Sequence, residues 1–480
     1  GIEYPKRLGQ TPELHASLDE PVRWQPRSWE KSYSPDDFYG GTLRGIEQKL
    51  PYLRELGIGV VYLNPIVEAR SNHRYDTSDY SRPDPILGTM EDFEHLCAEG
   101  EKQGIRFILD GVYSHTGADS RYFNRCGNYG TEGACQGQDS EFYSWYDFRH
   151  FPDDYRCWWG FKDLPEVNEQ NPKWQDDIVT GDRSIVKHWL RHGAAGWRLD
   201  VADELPDSIL ALIRDAAKSV KPDAPIIGEV WEDAVTKESY GSRRNYALGY
   251  SLDSVMNYPL RSAVLSFMHG WSDAYGLRDF LISQQMNYPK PLYYSLMNLL
   301  GSHDVDRLRT ALAADRNLRE LSREDQLKYE FSEGALSRAL QQERLCAAIQ
   351  FAIPGVPSIY YGDEQGMCGV CDPFNRLPFK EGEQELHDWY ARLADMRNSA
   401  DALSTGHARF MAATGDVLLI LRWISDGRDA FGDAAENGAY LAVINRGAAE
   451  VRCGADCSAA GCGTVEVTAE PVSAKIIRIT

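Results

Sequence analysis

Three acidic residues of this chain each follow a short apolar run. Asp200 closes Gly196-Trp197-Arg198-Leu199, Glu229 follows Ile226-Ile227-Gly228, and Asp304 follows Leu299-Leu300-Gly301-Ser302-His303. Each run reads as a buried strand, so each acid stands at a strand's C-terminal end. In a parallel β/α barrel that rim is where active sites are built. Arg198 lies two residues before Asp200 and therefore on the same side of the strand, where its guanidinium would hold and orient a carboxylate. Asp200 thus suits a nucleophile. Glu229 has isoleucines before it and Trp231 two residues after it, an apolar setting that suits a proton donor. Asp304, beside His303, suits the orientation of hydroxyls and the stabilisation of a developing positive charge. A carboxylate nucleophile and a carboxylic acid about 5–5.5 Å apart cleave a glycosidic bond with retention of configuration. A single strand-end acid is more often a cap or a salt-bridge partner; three, with an arginine and a histidine, point to that chemistry.

The elements that must position these residues alternate from about Gly40 to Arg397. Strand patterns at 58–63, 105–109, 196–199, 226–230, 254–256, 294–300 and 357–361 are separated by helical patterns at 91–103, 183–192 and 208–220. Such alternation predicts βαβ units around a mainly parallel sheet, with a closed barrel preferred over an open doubly wound sheet. No Gly-rich phosphate loop follows any strand, which argues against dinucleotide binding. Residues 116–165 break the pattern with a long aromatic stretch that reads as an inserted domain. After about residue 401 the pattern turns to short alternating strands at 417–423, 439–444, 464–468 and 474–479, a small all-β domain. The predicted organisation is a catalytic barrel over 1–115 and 166–400, an insertion over 116–165, and a C-terminal β-sandwich over 401–480. No convincing strand pattern precedes Gly40, so the barrel's first strand is either poorly patterned or absent from a chain that starts after it.

Composition narrows the function classes. A length of 480 residues with 42% apolar side chains gives ample core, and a net charge of −21 argues against nucleic-acid or anionic-membrane partners. No apolar stretch approaches the ~18 residues of a membrane-spanning helix. The ten cysteines include a Cys368-x-x-Cys371 pair with no second pair to complete a zinc site. Their scatter favours a reducing compartment, and a cytoplasmic enzyme is expected over a secreted one.

Four ordered segments carry a family resemblance. Asp110-Gly-Val-Tyr-Ser-His115, Gly196-Trp-Arg-Leu-Asp200-Val-Ala, Gly228-Glu-Val-Trp231 and Ser302-His-Asp304 resemble the signature regions of the α-amylase family, glycoside hydrolase family 13. Asn64-Pro-Ile, Ser71-Asn-His-Arg-Tyr-Asp76, Leu164-Pro-Glu-Val-Asn168 and Gly355-Val-Pro-Ser-Ile-Tyr-Tyr-Gly-Asp363 extend it, and Asp372-Pro-Phe-Asn-Arg376 is similar to a loop of the neopullulanase and cyclomaltodextrinase branch. The resemblance implies a TIM-barrel retaining hydrolase of α-glucans (starch, pullulan or maltodextrin) that cuts α-1,4 and sometimes α-1,6 bonds. A 4-α-glucanotransferase or α-glucosidase using the same intermediate is the alternative. Asp200 would be the nucleophile, Glu229 the acid/base and Asp304 the transition-state stabiliser, with Asp110 an internal orienting residue. His115 and His303 would bind sugar hydroxyls, Arg198 would orient the nucleophile, and Tyr75 would stack on the sugar with His73 close by. Trp231 would flank the leaving group, and Asp372, Arg376 and Arg307 would contact the next sugar. Trp158 and Trp159 either line the cleft or pack the insertion. No organic cofactor is implied. Ser114 stands where the family usually has a calcium-binding Asn, which puts a structural Ca2+ in doubt. The N-terminal β-domain through which many neopullulanases dimerise has no match, and a monomer or homodimer is expected.

Overall fold

The computed structural model describes residues 13–23 and 37–480. The stretch where the first barrel strand was sought falls largely outside the described residues. The chain divides into two compact units, Gly1–Val230 with Thr236–Asp253, and Trp231–Val235 with Ser254–Thr480.

In the first unit four parallel strands, Val60–Leu63, Arg106–Gly111, Gly196–Leu199 and Ile226–Gly228, lie side by side in chain order. Gly196–Leu199 is buried along its whole length, as a strand covered on both faces must be. The register sets Asp110, Arg198 and Ile227 in one row across three strands. The crossover helices show why these segments coil. Met90–Lys102 starts on a capping box between Thr89 and Asp92 and buries Phe93, Leu96 and Gly100 along one face. A Cβ at position 100 would fall 2.7 Å from the Ile105 carbonyl oxygen, so the helix can approach the strand only with glycine there. Asp207–Val220 buries Ile209, Leu210, Ile213, Ala216 and Ala217, a stripe of helical period.

The segment 116–165 carries little regular structure. It is held by aromatic packing, with Tyr122 stacked on Trp145 and Phe123 against Tyr146, Phe148 and Tyr155. Bridges from His115 to Glu166 and from Cys157 to Pro165 pin its ends.

In the second unit Met297–Leu299 pairs in parallel with Val356–Ser358, and Met256 bridges in parallel to Met297. The strand expected over 294–300 is shorter than its apolar pattern, because its first residues close a short helix, Lys290–Ser295. Helices Tyr258–His269, Ala274–Asn287, Glu333–Ala352 and Gln384–Asn398 supply most of the remaining core. The chain then forms an antiparallel sheet of His407–Ala412, Val417–Ile424, Gly438–Asn445 and Ser473–Arg478, with a second hairpin of Val451–Asp456 and Thr464–Ala469. Val417–Ile424 is apolar almost throughout because both of its faces are covered. Leu418 and Ile420 pack with Leu345 and Ile349 of the long helix, while Leu419 and Leu421 pack with Val467 of the hairpin.

Candidate active site

The first unit gathers one cluster around a buried guanidinium. Arg198 Nη1 donates to both oxygens of Asp110 at 2.9 Å and to Asp200 Oδ1 at 3.0 Å, and Nη2 meets Glu229 Oε2 at 2.8 Å. Strand register explains the meeting. Asp110 and Arg198 are paired neighbours, and Asp200 and Glu229 are the next residues beyond the paired ends of their strands. Backbone bonds continue past those ends, Asp200 N to Gly111 O and Glu229 N to Leu199 O, so both acids leave the rim at fixed positions.

Val201, directly after Asp200, holds φ 40 and ψ 62. A β-branched residue in the left-handed region is strained by roughly 1–3 kcal/mol. That conformation aims the Val201 amide at Glu229 Oε2, 2.9 Å away. The apolar setting expected for Glu229 is therefore corrected: the same oxygen faces a guanidinium and a backbone N–H. Burial pushes the Asp200 carboxyl well above the usual carboxylate range, and Glu229 and Asp110 push it further while Arg198 pulls it down. The sequence pointed to the arginine beside Asp200 but not to the two neighbouring acids.

Asp110 also accepts from Tyr62 and, at 2.9 Å, from the Tyr75 hydroxyl. It is an internal anchor, as expected. Tyr62 was not singled out from the sequence; its place on the strand paired with the Asp110 strand is the signal that could have found it. Tyr75 is half-buried with its hydroxyl tied down, and its ring lies 6.2 Å from that of His73 at 19°. His115 is buried. Its Nε2 donates to Tyr75 O at 3.1 Å, so its Nδ1 accepts from the Ser114 hydroxyl at 3.0 Å. Burial lowers its pKa to about 4, which keeps the ring neutral at neutral pH. Among the described residues no group of three or more His, Cys, Asp or Glu side chains is placed to hold a metal ion. None of the ten cysteines forms a disulfide.

The second unit gathers the remaining residues. Asp304 Oδ2 lies 3.2 Å from His303 Nε2 and accepts from the Tyr258 hydroxyl at 3.3 Å, while Oδ1 is 3.7 Å from Arg376 Nη2. Arg376 also meets Asp372 at 3.3 Å and donates to His303 O at 3.0 Å. Trp231 lies flat on Tyr258, ring centroids 4.0 Å apart at 5°, and keeps 44% of its surface exposed. Arg307 departs from expectation. It is fully buried, donates to Tyr361 O at 2.6 Å, and packs against the Tyr360 and Tyr361 rings. With no surface to offer a sugar it braces the strand-end loop instead. The sugar contact expected of it came from the family resemblance and not from its own surroundings in the sequence.

Comparison with known proteins places this geometry. The family model described as Alpha amylase, catalytic domain, matches residues 4–411. An amylopullulanase of Thermoanaerobacter thermohydrosulfuricus is 39% identical over 453 residues, covering 86% of this chain and 29% of that protein. Neopullulanase 2 of Thermoactinomyces vulgaris is 32% identical over 395 residues, 79% of this chain and 60% of its own length. Among solved structures, the ligand-free cyclic alpha-maltosyl-(1-->6)-maltose hydrolase from Arthrobacter globiformis is similar with a TM-score of 0.77 and 27% identity, covering 97% of this chain and 96% of that one. The chain thus spans under a third of the length of the amylopullulanase and under two thirds of that of the neopullulanase.

Proposed function

This chain belongs to the α-amylase family and has its TIM-barrel fold class, and on that premise we propose that it is a retaining α-glucan hydrolase acting on α-1,4 bonds of starch, pullulan or maltodextrins. The observation that carries the reading is the one guanidinium, Arg198, in contact with both Asp200 and Glu229. Two carboxyl groups held by the same side chain suit direct attack by one of them on the anomeric carbon, without an intervening water.

In this reading Asp200 attacks the anomeric carbon while Glu229 protonates the departing glycosidic oxygen. Glu229 then takes a proton from water as the water oxygen attacks the anomeric carbon, which breaks the bond to Asp200 and releases the sugar with Asp200 as a carboxylate. Asp304 stabilises the oxocarbenium-like transition state, in keeping with the role its family position carries. Tyr75 offers a ring face to the sugar, and its hydroxyl bond to Asp110 fixes that ring to the same anchor as Arg198. Asp372, Arg376 and Trp231 belong to the neighbouring sugar positions.

Pullulan separates the bond preferences. Panose as product marks α-1,4 cleavage and maltotriose marks α-1,6 cleavage; starch degradation with no product from pullulan would remove the neopullulanase reading. Replacing the nucleophile, Asp200→Asn, is expected to abolish turnover and leave oligosaccharide binding in place. Unchanged turnover in that variant would overturn the assignment.

A further inference from the structure

Two tight turns in the first unit share an unusual composition. Trp159-Gly160 and Tyr240-Gly241 both have positive φ at both residues, 49° and 83° in the first and 51° and 77° in the second. Turns of this kind favour Asn, Asp or Gly at the first of those positions, because any other side chain is strained there. Here each turn carries a large aromatic instead. Most of each ring is open to solvent, since Trp159 is 75% exposed and Tyr240 is 77% exposed. Strain together with two bare aromatic surfaces is a cost to the folded chain that a ligand could offset.

Both rings converge on one carboxylate. Trp159 Nε1 donates to Glu204 Oε1 at 3.3 Å, and the Tyr240 hydroxyl donates to Glu204 Oε2. Glu204 sits four residues after Asp200, on the turn that leaves the Asp200 strand. The Tyr240 hairpin is fixed to that same turn. Arg244 donates to Asp203 O at 2.7 Å and to Ser239 Oγ at 2.8 Å, and Lys237 pairs with Asp203 at 2.8 Å. The Trp159 side connects to the acid cluster through a run of stacked rings. Trp159 stacks on Trp158 at 5.2 Å and 16°, and Trp158 stacks on His115 at 5.6 Å and 28°. His115 in turn donates to the backbone of Tyr75.

We propose that Trp159 and Tyr240 form an outer sugar-stacking subsite, which holds a glucose unit of a longer α-glucan away from the reacting bond, with Glu204 positioning both rings. The proposal rests on the α-glucan reading and adds what that reading lacks, a reason to prefer long chains. Flat, rigid aromatic faces give large contact area with little entropy to lose, and they match the apolar face of a pyranose ring.

The test is calorimetric binding of maltose, maltotriose, maltopentaose and maltoheptaose to the Asp200→Asn protein, alone and combined with W159A, Y240A or Y240F. Both alanine variants should weaken maltoheptaose binding about ten- to thirtyfold, as loss of an aromatic anchor does, and leave maltose within about twofold by the same scale. Y240F keeps the ring and should retain most of the maltoheptaose affinity. Unchanged maltoheptaose affinity in both alanine variants would overturn the proposal, as would equal weakening for maltose and maltoheptaose. So would a Y240F protein as weak as Y240A with a lowered melting temperature, since the Glu204 contacts would then be only a clasp between loops. Failure of the hydrolase reading is seen separately: the unsubstituted protein would bind the longer sugars and cleave none of them.

Discussion

At the scale of single residues, the central fact is that Arg198 serves three buried carboxyl groups with one positive charge. Asp110, Asp200 and Glu229 all touch it, so ionising every acid would leave an uncompensated negative charge in a site shielded from water. Burial raises both Asp110 and Asp200 above the usual carboxylate range while Arg198 pulls each of them down. For catalysis Asp200 must be ionised, so activity should be lost on the acid side as pH falls through its raised pKa. A kcat/KM profile should place this acid limb above the ordinary aspartate value of about 4; a limb at or below that value would contradict the burial argument. The planar fork of Arg198 is also specific. Arg198→Lys keeps the charge but offers one point of contact in place of two, and kcat should fall by about a hundredfold or more with the circular dichroism spectrum unchanged. The strand-end acids were legible because strand ends and period-two alternation are written locally. The Tyr62 contact, the second donor on Glu229 and the burial of Arg307 were not, because each depends on what neighbouring strands and loops bring alongside.

Elements show the same division between local and non-local information. Met90–Lys102 and Asp207–Val220 were readable almost to the residue, since caps and a helical apolar stripe both mark them. Strands buried on both faces were found as apolar runs, but Lys290–Ser295 could not be separated from the strand after it, because a continuous apolar run has no period. The strands His407–Ala412 and Val451–Asp456 escaped notice for a related reason: polar residues interrupt them, and pairing partners define them. Within the long helix Glu333–Ala352, Glu343 is fully buried and meets Arg309 at 2.6 Å. Burial pushes its pKa up to about 8. A carboxyl whose folded pKa is raised gives stability that is complete at low pH and lost as pH rises through the folded value. The melting temperature should therefore decline between about pH 4.5 and pH 8, from the unfolded to the folded value, and Glu343→Gln should flatten that decline. A melting temperature constant across this range in the unsubstituted protein would show that Glu343 is ionised throughout.

For the whole molecule, composition and order of motifs carried most of the information. Eight segments in the right sequence pointed to the family that the catalytic-domain match, over residues 4–411, shows. No helix among the described residues is long and apolar enough to cross a membrane. What the pattern could not convey was the aromatic packing of residues 116–165, where stacked rings rather than periodic elements set the conformation. The account as a whole turns on the pairing of Asp200 with Glu229 as nucleophile and acid/base in a double displacement. The most direct test is proton NMR of the first product released from a maltooligosaccharide, recorded before the sugar mutarotates. The α-anomer should appear first and the β-anomer only later by mutarotation, because two inversions at the anomeric carbon restore its configuration. Initial release of the β-anomer would mean a single displacement by water and would contradict the roles given to both residues.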